Sequence, residues 1–218
     1  MKRLYIFDMD GLLLDTETYY QKFWLKVLEE KNVNITKEEL RRIIGMSYDQ
    51  AKNFFLNYLE TEEEFLELRQ RREAYFWDHV DTMGMPIKDG ADQSLNYLKE
   101  NKIKTALITS TEENRAKKLL NIAGLHHTFD YMVFSNMVTK TKPDPEMYHY
   151  LEKLTDIDKS EWIVFEDSYS GLKAANNAGV DVIWIKDLAI LMDDNVSYKQ
   201  MRHSLLDVLA DMELVESI

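Results

Sequence analysis

Four short apolar runs, Lys104 to Ile108, Tyr131 to Phe134, Trp162 to Phe165 and Val182 to Ile185, alternate with helical patterns through the second half of the 218-residue chain. Few folds tolerate that rhythm. Runs so nearly continuous in apolar residues suit strands covered by helices on both faces. Joined by helices, they predict right-handed crossovers and a parallel sheet. Asp92 to Glu100 sets Leu95 and Leu98 on one helical face, and Glu112 to Ala123 has Thr111 as a candidate N-cap and Gly124 at the stop position. A fifth strand, Leu4 to Phe7, stands alone at the start. Between residues 16 and 82 no strand pattern appears, and apolar residues recur at helical spacing. Tyr20, Trp24, Val27 and Leu28 form one stripe; Leu40, Ile43 and Ile44 a second; Ala51, Phe54, Phe55, Tyr58 and Leu59 a third; Phe65, Leu68, Tyr75 and Phe76 a fourth. Aromatic stripes of this kind are core. The expectation is an α/β fold, a doubly wound parallel sheet over residues 1–15 and 83–218, with an all-helical insertion over 16–82 above the end of the first strand.

Composition narrows the partners. A formal net charge of −12 repels phosphate backbones and anionic lipid, so neither nucleic acid nor a membrane is expected as a partner. A small anionic substrate then needs local cations or a metal. With no cysteine, disulfides and thiolate chemistry are excluded, which fits a reducing compartment. No apolar run reaches membrane-spanning length, and Met1 to Arg3 leads into "LYIFDMD" rather than a signal-peptide core. A cytoplasmic protein is expected, a monomer or weak homo-oligomer, since no coiled-coil seam is evident.

The first strand ends in "DMDG". A bare D-x-D is weak, and Asp156 and Asp158 repeat it in an ordinary connection. In an extended segment, however, Asp8 and Asp10 point the same way, and Gly11 lets the backbone turn or approach a ligand closely. Asp15 reads as an N-cap. Other strands end in Thr109, Ser110 and Thr111, and in Glu166, Asp167 and Ser168, while Lys142 follows the third strand within "TKTKPDP". Singly each has a plain explanation as cap, turn or surface charge. In one parallel sheet they converge on one edge. Oxygen-only acids without His or Cys suit a hard cation such as Mg²⁺, and a hydroxyl and a lysine suit the oxygens of a phosphate. Phosphoryl transfer through a carboxylate nucleophile, with a second acid moving the proton, fits this set best. Phosphate loops, dinucleotide fingerprints, serine elbows and zinc-protease motifs are missing, and the 5 histidines show no ligand spacing.

With "DMDGLLLDT", "ALITST", "KTKPDPEMY" and "VFEDSYSGLKAANNAG" in this order, the chain resembles the haloacid dehalogenase superfamily over nearly its whole length. It is most similar to the branch holding β-phosphoglucomutase and small sugar-phosphate or nucleotide phosphatases. The resemblance implies Asp8 as nucleophile and Asp10 as general acid/base. It implies Thr109, Ser110 and Lys142 as phosphate ligands. Mg²⁺ would be held by Asp8, the Asp10 carbonyl and Asp167, with Glu166 nearby. The 16–82 helices become a mobile cap that excludes water and selects substrate. Two departures bear on the reaction: the mutase pattern has a His where Tyr20 stands and an Arg where "GMSYD" has Tyr48. Both help a mutase hold a second phosphate, so hydrolysis of a small phosphorylated metabolite is the expectation and a sugar phosphomutase the alternative. Arg71 or Arg72 could grip a phosphate from the cap. A phosphoacceptor signalling module is disfavoured by Asp10, which would hasten loss of the phosphoryl group, and a dehalogenase proper by the acids that serve phosphate chemistry.

Overall fold

Strand β1 (Leu4–Phe7) is central in the computed structural model, which describes residues 2–46, 48–188 and 195–216. On one side lie β2 (Lys104–Ile108) and then β3 (Tyr131–Val133); on the other lie β4 (Trp162–Glu166), β5 (Asp181–Ile185) and β6 (Gln200–Arg202). The order β3-β2-β1-β4-β5-β6 is parallel throughout. The five expected strands are present. The sixth was not expected, because three polar or exposed residues on a sheet edge carry no apolar run.

Alternation on the pleat divides the core. Phe7, Leu107 and Phe165 face α5 (Ala91–Glu100), α6 (Glu113–Ile122) and α9 (Leu205–Glu216). Ile6, Ala106 and Val164 face α7 (Glu146–Glu152) and α8 (Tyr169–Ala178). Burying a ring such as Phe7, which is fully enclosed, contributes about 2–3 kcal/mol.

Between β1 and β2 come α1 (Thr16–Glu30), α2 (Lys37–Leu40), α3 (Tyr48–Phe55) and α4 (Glu62–Met83). Trp24, Val27, Leu28, Leu40, Phe55, Phe65 and Leu68 form an apolar cluster of their own there. Tyr58, expected on a buried stripe, is instead exposed and donates to Glu39 Oε1 at 3.0 Å. Phe23, Phe76 and Val80 join the sheet-side core, so α1 and α4 are rooted in it. The two connections to the helical segment are pinned together: Asp15 N donates to Pro86 O at 2.9 Å and Lys88 N to Leu13 O at 2.9 Å.

Candidate active site

The order of the sheet reverses between β1 and β4, and a crevice opens outside the strand ends at such a point. Register places Phe7 beside Phe165, and Asp8 N donates to Phe165 O at 3.2 Å. Asp8 and the Glu166–Asp167 pair therefore emerge side by side. Asp8, Glu166 and Asp167 are buried and each offers a carboxylate oxygen within 4.8 Å of the others.

Two glycines make this close gathering possible. Gly11 has φ +83°, and a Cβ there would lie 2.2 Å from Asp167 Oδ2. A side chain at Gly171, in the first turn of α8, would lie 2.0 Å from the Glu166 carboxyl carbon. The "DMDG" and "EDSYSG" stretches thus carry glycine because an acid occupies the space.

Lys142 is the counter-ion. Its ammonium donates to Asp8 Oδ1 at 2.7 Å, to Ile108 O at 2.8 Å and to Glu166. All three N–H groups are used, so in this arrangement Lys142 binds the acids; a phosphate would have to replace one of them. Burial works against its charge, but Asp8 and Glu166 outweigh that and raise its pKa. Asp8 is pushed well above the ordinary carboxylate range by burial, with Glu166 and Asp10 adding and Lys142 opposing. Asp167 is raised by burial and by the charges of Asp8 and Glu166. Its Oδ1 is buried without a hydrogen-bond partner among the described residues. Three crowded acids, one cation and an orphaned oxygen fit a hard divalent ion, which would satisfy the donors and offset the repulsion.

Asp10 stands beside this group. Its Oδ2 accepts from Thr111 Oγ at 2.7 Å, while Oδ1 is buried and unpartnered. Thr111 was expected to cap α6, but Glu112 does so, accepting from Asn114 N at 3.1 Å and Arg115 N at 3.4 Å, which frees the Thr111 hydroxyl. Asp15 sits at the N-cap position of α1 without a side-chain cap bond; it lies 3.6 Å from Lys88. Thr109 is buried, and its hydroxyl accepts from Thr111 N at 3.0 Å. Ser110 is exposed at the rim.

Asp8, Asp10, Thr109, Ser110, Thr111, Lys142 and Asp167 line one cavity of about 870 Å³, whereas Glu166 and Asp15 do not. The helical segment supplies the rest of its wall. Gly45, at φ +74°, brings the turn after α2 against Ser168, 3.0 Å from where its Cβ would stand. Tyr20, Trp24 and Tyr48 line the cavity, as does Arg72. Arg71, expected as a phosphate grip, is not among the lining residues; it pairs with Glu30 on α1.

Glu17, Glu73 and Arg115 also line the cavity, and sequence reasoning did not single them out. Glu17, in the first turn of α1, is pushed up to about 7 by burial and by Asp10, with Arg72 opposing. Glu73 bonds to Arg72 at 2.7 Å and to Arg115. Arg115 reaches from α6 across to Glu73 and to the Tyr20 hydroxyl. The signal for Arg115 was present: a cation in the first turn of a helix opposes the helix dipole and needs a partner elsewhere.

Comparison with known proteins agrees with this architecture. The family model for haloacid dehalogenase-like hydrolases matches residues 5–185. A phosphorylated carbohydrates phosphatase of Thermotoga maritima is 34% identical over 82% of this chain and 82% of its own. The fructose-1-phosphate phosphatase YqaB of Escherichia coli is 26% identical over 83% of this chain and 95% of its own. Among solved structures, β-phosphoglucomutase of Clostridium difficile superposes with a TM-score of 0.72 at 22% identity, covering 99% of this chain and 100% of that one. Among the described residues, no helix is long and apolar enough to cross a membrane.

Proposed function

The chain belongs to the haloacid dehalogenase-like hydrolases, and we propose that it hydrolyses small phosphorylated metabolites through an aspartyl phosphate on Asp8. The observation that carries this reading is the gathering of Asp8, Glu166 and Asp167 beside Lys142, with Asp10 in the same cavity. The names of the two relatives support sugar phosphates as the substrate class. In this reading residues 16–82 form a cap over a body of residues 1–15 and 83–218.

Asp8, the Asp10 carbonyl and Asp167, with Glu166 behind, would hold Mg²⁺. When bound, the ion supplies positive charge that offsets the phosphate's own and orients it for attack. A carboxylate oxygen of Asp8 attacks phosphorus as the bond to the ester oxygen breaks. Asp10 gives that oxygen its proton, held in place by Thr111. It then takes a proton from the water that attacks the aspartyl phosphate, which releases inorganic phosphate and restores Asp8. Thr109 and Ser110 at the end of β2 hold the phosphoryl oxygens. One N–H of Lys142 passes from Asp8 Oδ1 to the transferred group.

Hydrolysis of p-nitrophenyl phosphate tests the reading. Turnover is expected with Mg²⁺ and not with a chelator. Asp8→Asn is expected to lower kcat by about 10³-fold or more with its thermal melt retained; undiminished turnover contradicts the assigned nucleophile. Supplying β-glucose 1-phosphate with a bisphosphate primer separates the alternative, a sugar phosphomutase, since free phosphate without glucose 6-phosphate rules it out.

A further inference from the structure

The cavity has a second chemical character away from the strand ends. Its lining there carries three guanidiniums, Arg69, Arg72 and Arg115, and three carboxyl side chains, Glu17, Glu73 and Glu112. Glu73 is the hub. It accepts from Arg72 Nη2 at 2.7 Å and from Arg115, and Arg115 also holds the Tyr20 hydroxyl. The Arg72 guanidinium lies 4.3 Å from the centre of the Tyr20 ring and 5.2 Å from that of Trp24, and its Nε is buried without a hydrogen-bond partner. Neither of these guanidiniums is an uncommitted positive charge.

We propose that Glu73, by occupying the guanidiniums of Arg72 and Arg115, selects substrates: the cavity admits monophosphates of neutral polyhydroxy compounds and turns away bisphosphates. The inference rests on the phosphatase reading above and deepens it. A wall that alternates carboxylate acceptors, guanidinium donors and ring faces matches hydroxyls and C–H faces of a sugar or polyol. A second phosphate would bring two negative charges beside Glu73, and could reach Arg72 or Arg115 only by displacing it. Glu73 is ionised to do this: burial pushes its pKa up, but Arg115 and Arg72 outweigh burial and hold it below the usual range. The same engagement of Arg72 and Arg115 works against the bisphosphate primer that a mutase needs.

Competitive inhibition of p-nitrophenyl phosphate hydrolysis by matched pairs reads this directly, at fixed free Mg²⁺: fructose 6-phosphate against fructose 1,6-bisphosphate, and glucose 6-phosphate against glucose 1,6-bisphosphate. Wild-type protein is expected to bind each monophosphate at least about tenfold more tightly than its bisphosphate, the preference that one unfavourable charge pair of about 1.4 kcal/mol yields. Glu73→Gln should bring that ratio to within about threefold, and Glu73→Asp, which keeps the charge, should preserve it. A wild-type preference for bisphosphates, a ratio unmoved by Glu73→Gln, or no inhibition by any member of the pairs overturns the proposal. Wild-type protein that turns over no p-nitrophenyl phosphate strikes the phosphatase reading itself and the selection with it.

Discussion

At Asp10 the carboxylate is held at one oxygen by the Thr111 hydroxyl, 2.7 Å away, and the other oxygen is left free inside the cavity. In the proposed reaction Asp10 carries the proton, and this contact would aim it. Thr111→Val is therefore expected to lower kcat about tenfold with little change in KM, the size of one lost hydrogen bond to a charged group, and Thr111→Ser should restore most of it. Steady-state kinetics of the two variants checks this; a KM effect alone would mean that Thr111 only helps to bind substrate. Asp8, Asp10, Thr109, Glu166 and Asp167 were legible in the sequence because a strand's end fixes where its next residues point; Lys142, well beyond the end of β3, was legible from its place in "TKTKPDP". Residues on helices were not. Arg71 and Arg72 differ by 100° around α4, and no periodicity says which turns to the cavity; it is Arg72. Thr111 was misassigned because Glu112, one residue on, serves equally well as a cap.

The elements that carry the acids depend on space as much as on pairing. In an ordinary helix Gly→Ala stabilises by about 1 kcal/mol. At Gly171 the sign reverses, because the new methyl would meet the buried Glu166 carboxyl, which has no exposed position to retreat to. Gly171→Ala is expected to destabilise by about 2–4 kcal/mol, read by denaturant unfolding; a stability gain would mean that Glu166 is not seated against α8. The strand positions, the helical insertion and the stop at Gly124 follow from patterns in the chain, since each buries a continuous apolar face. β6 does not, because its place on the sheet edge is set by pairing with β5 rather than by burial.

The stability of the whole molecule depends on the buried acids of the site. Asp8 and Asp167 are both raised by burial and by neighbouring acids, so each binds a proton more readily folded than unfolded. For such groups the metal-free protein loses stability as pH rises through the ordinary carboxylate range toward the raised values. The raised pKa of Lys142 adds stability present at all pH below the ordinary lysine range, so it does not alter this window. Asp167→Asn removes one of the repelling charges. It is expected to raise the Tm of the metal-free protein at pH 7 by about 2–8 °C, and Mg²⁺, expected to raise the wild type's Tm, is expected to leave the variant's unchanged. Thermal melts with and without Mg²⁺ read both effects, and a lower Tm for the metal-free variant would contradict the electrostatic account.

In the proposed reaction Asp8 itself takes the phosphoryl group, and trapping the covalent species reads this. The Asp10→Ala variant, acid-quenched during turnover of p-nitrophenyl phosphate with Mg²⁺, should carry one hydroxylamine-labile phosphoryl group on Asp8 when mapped by mass spectrometry. A phosphoryl group on another residue, or none on a variant that still releases phosphate, would contradict it.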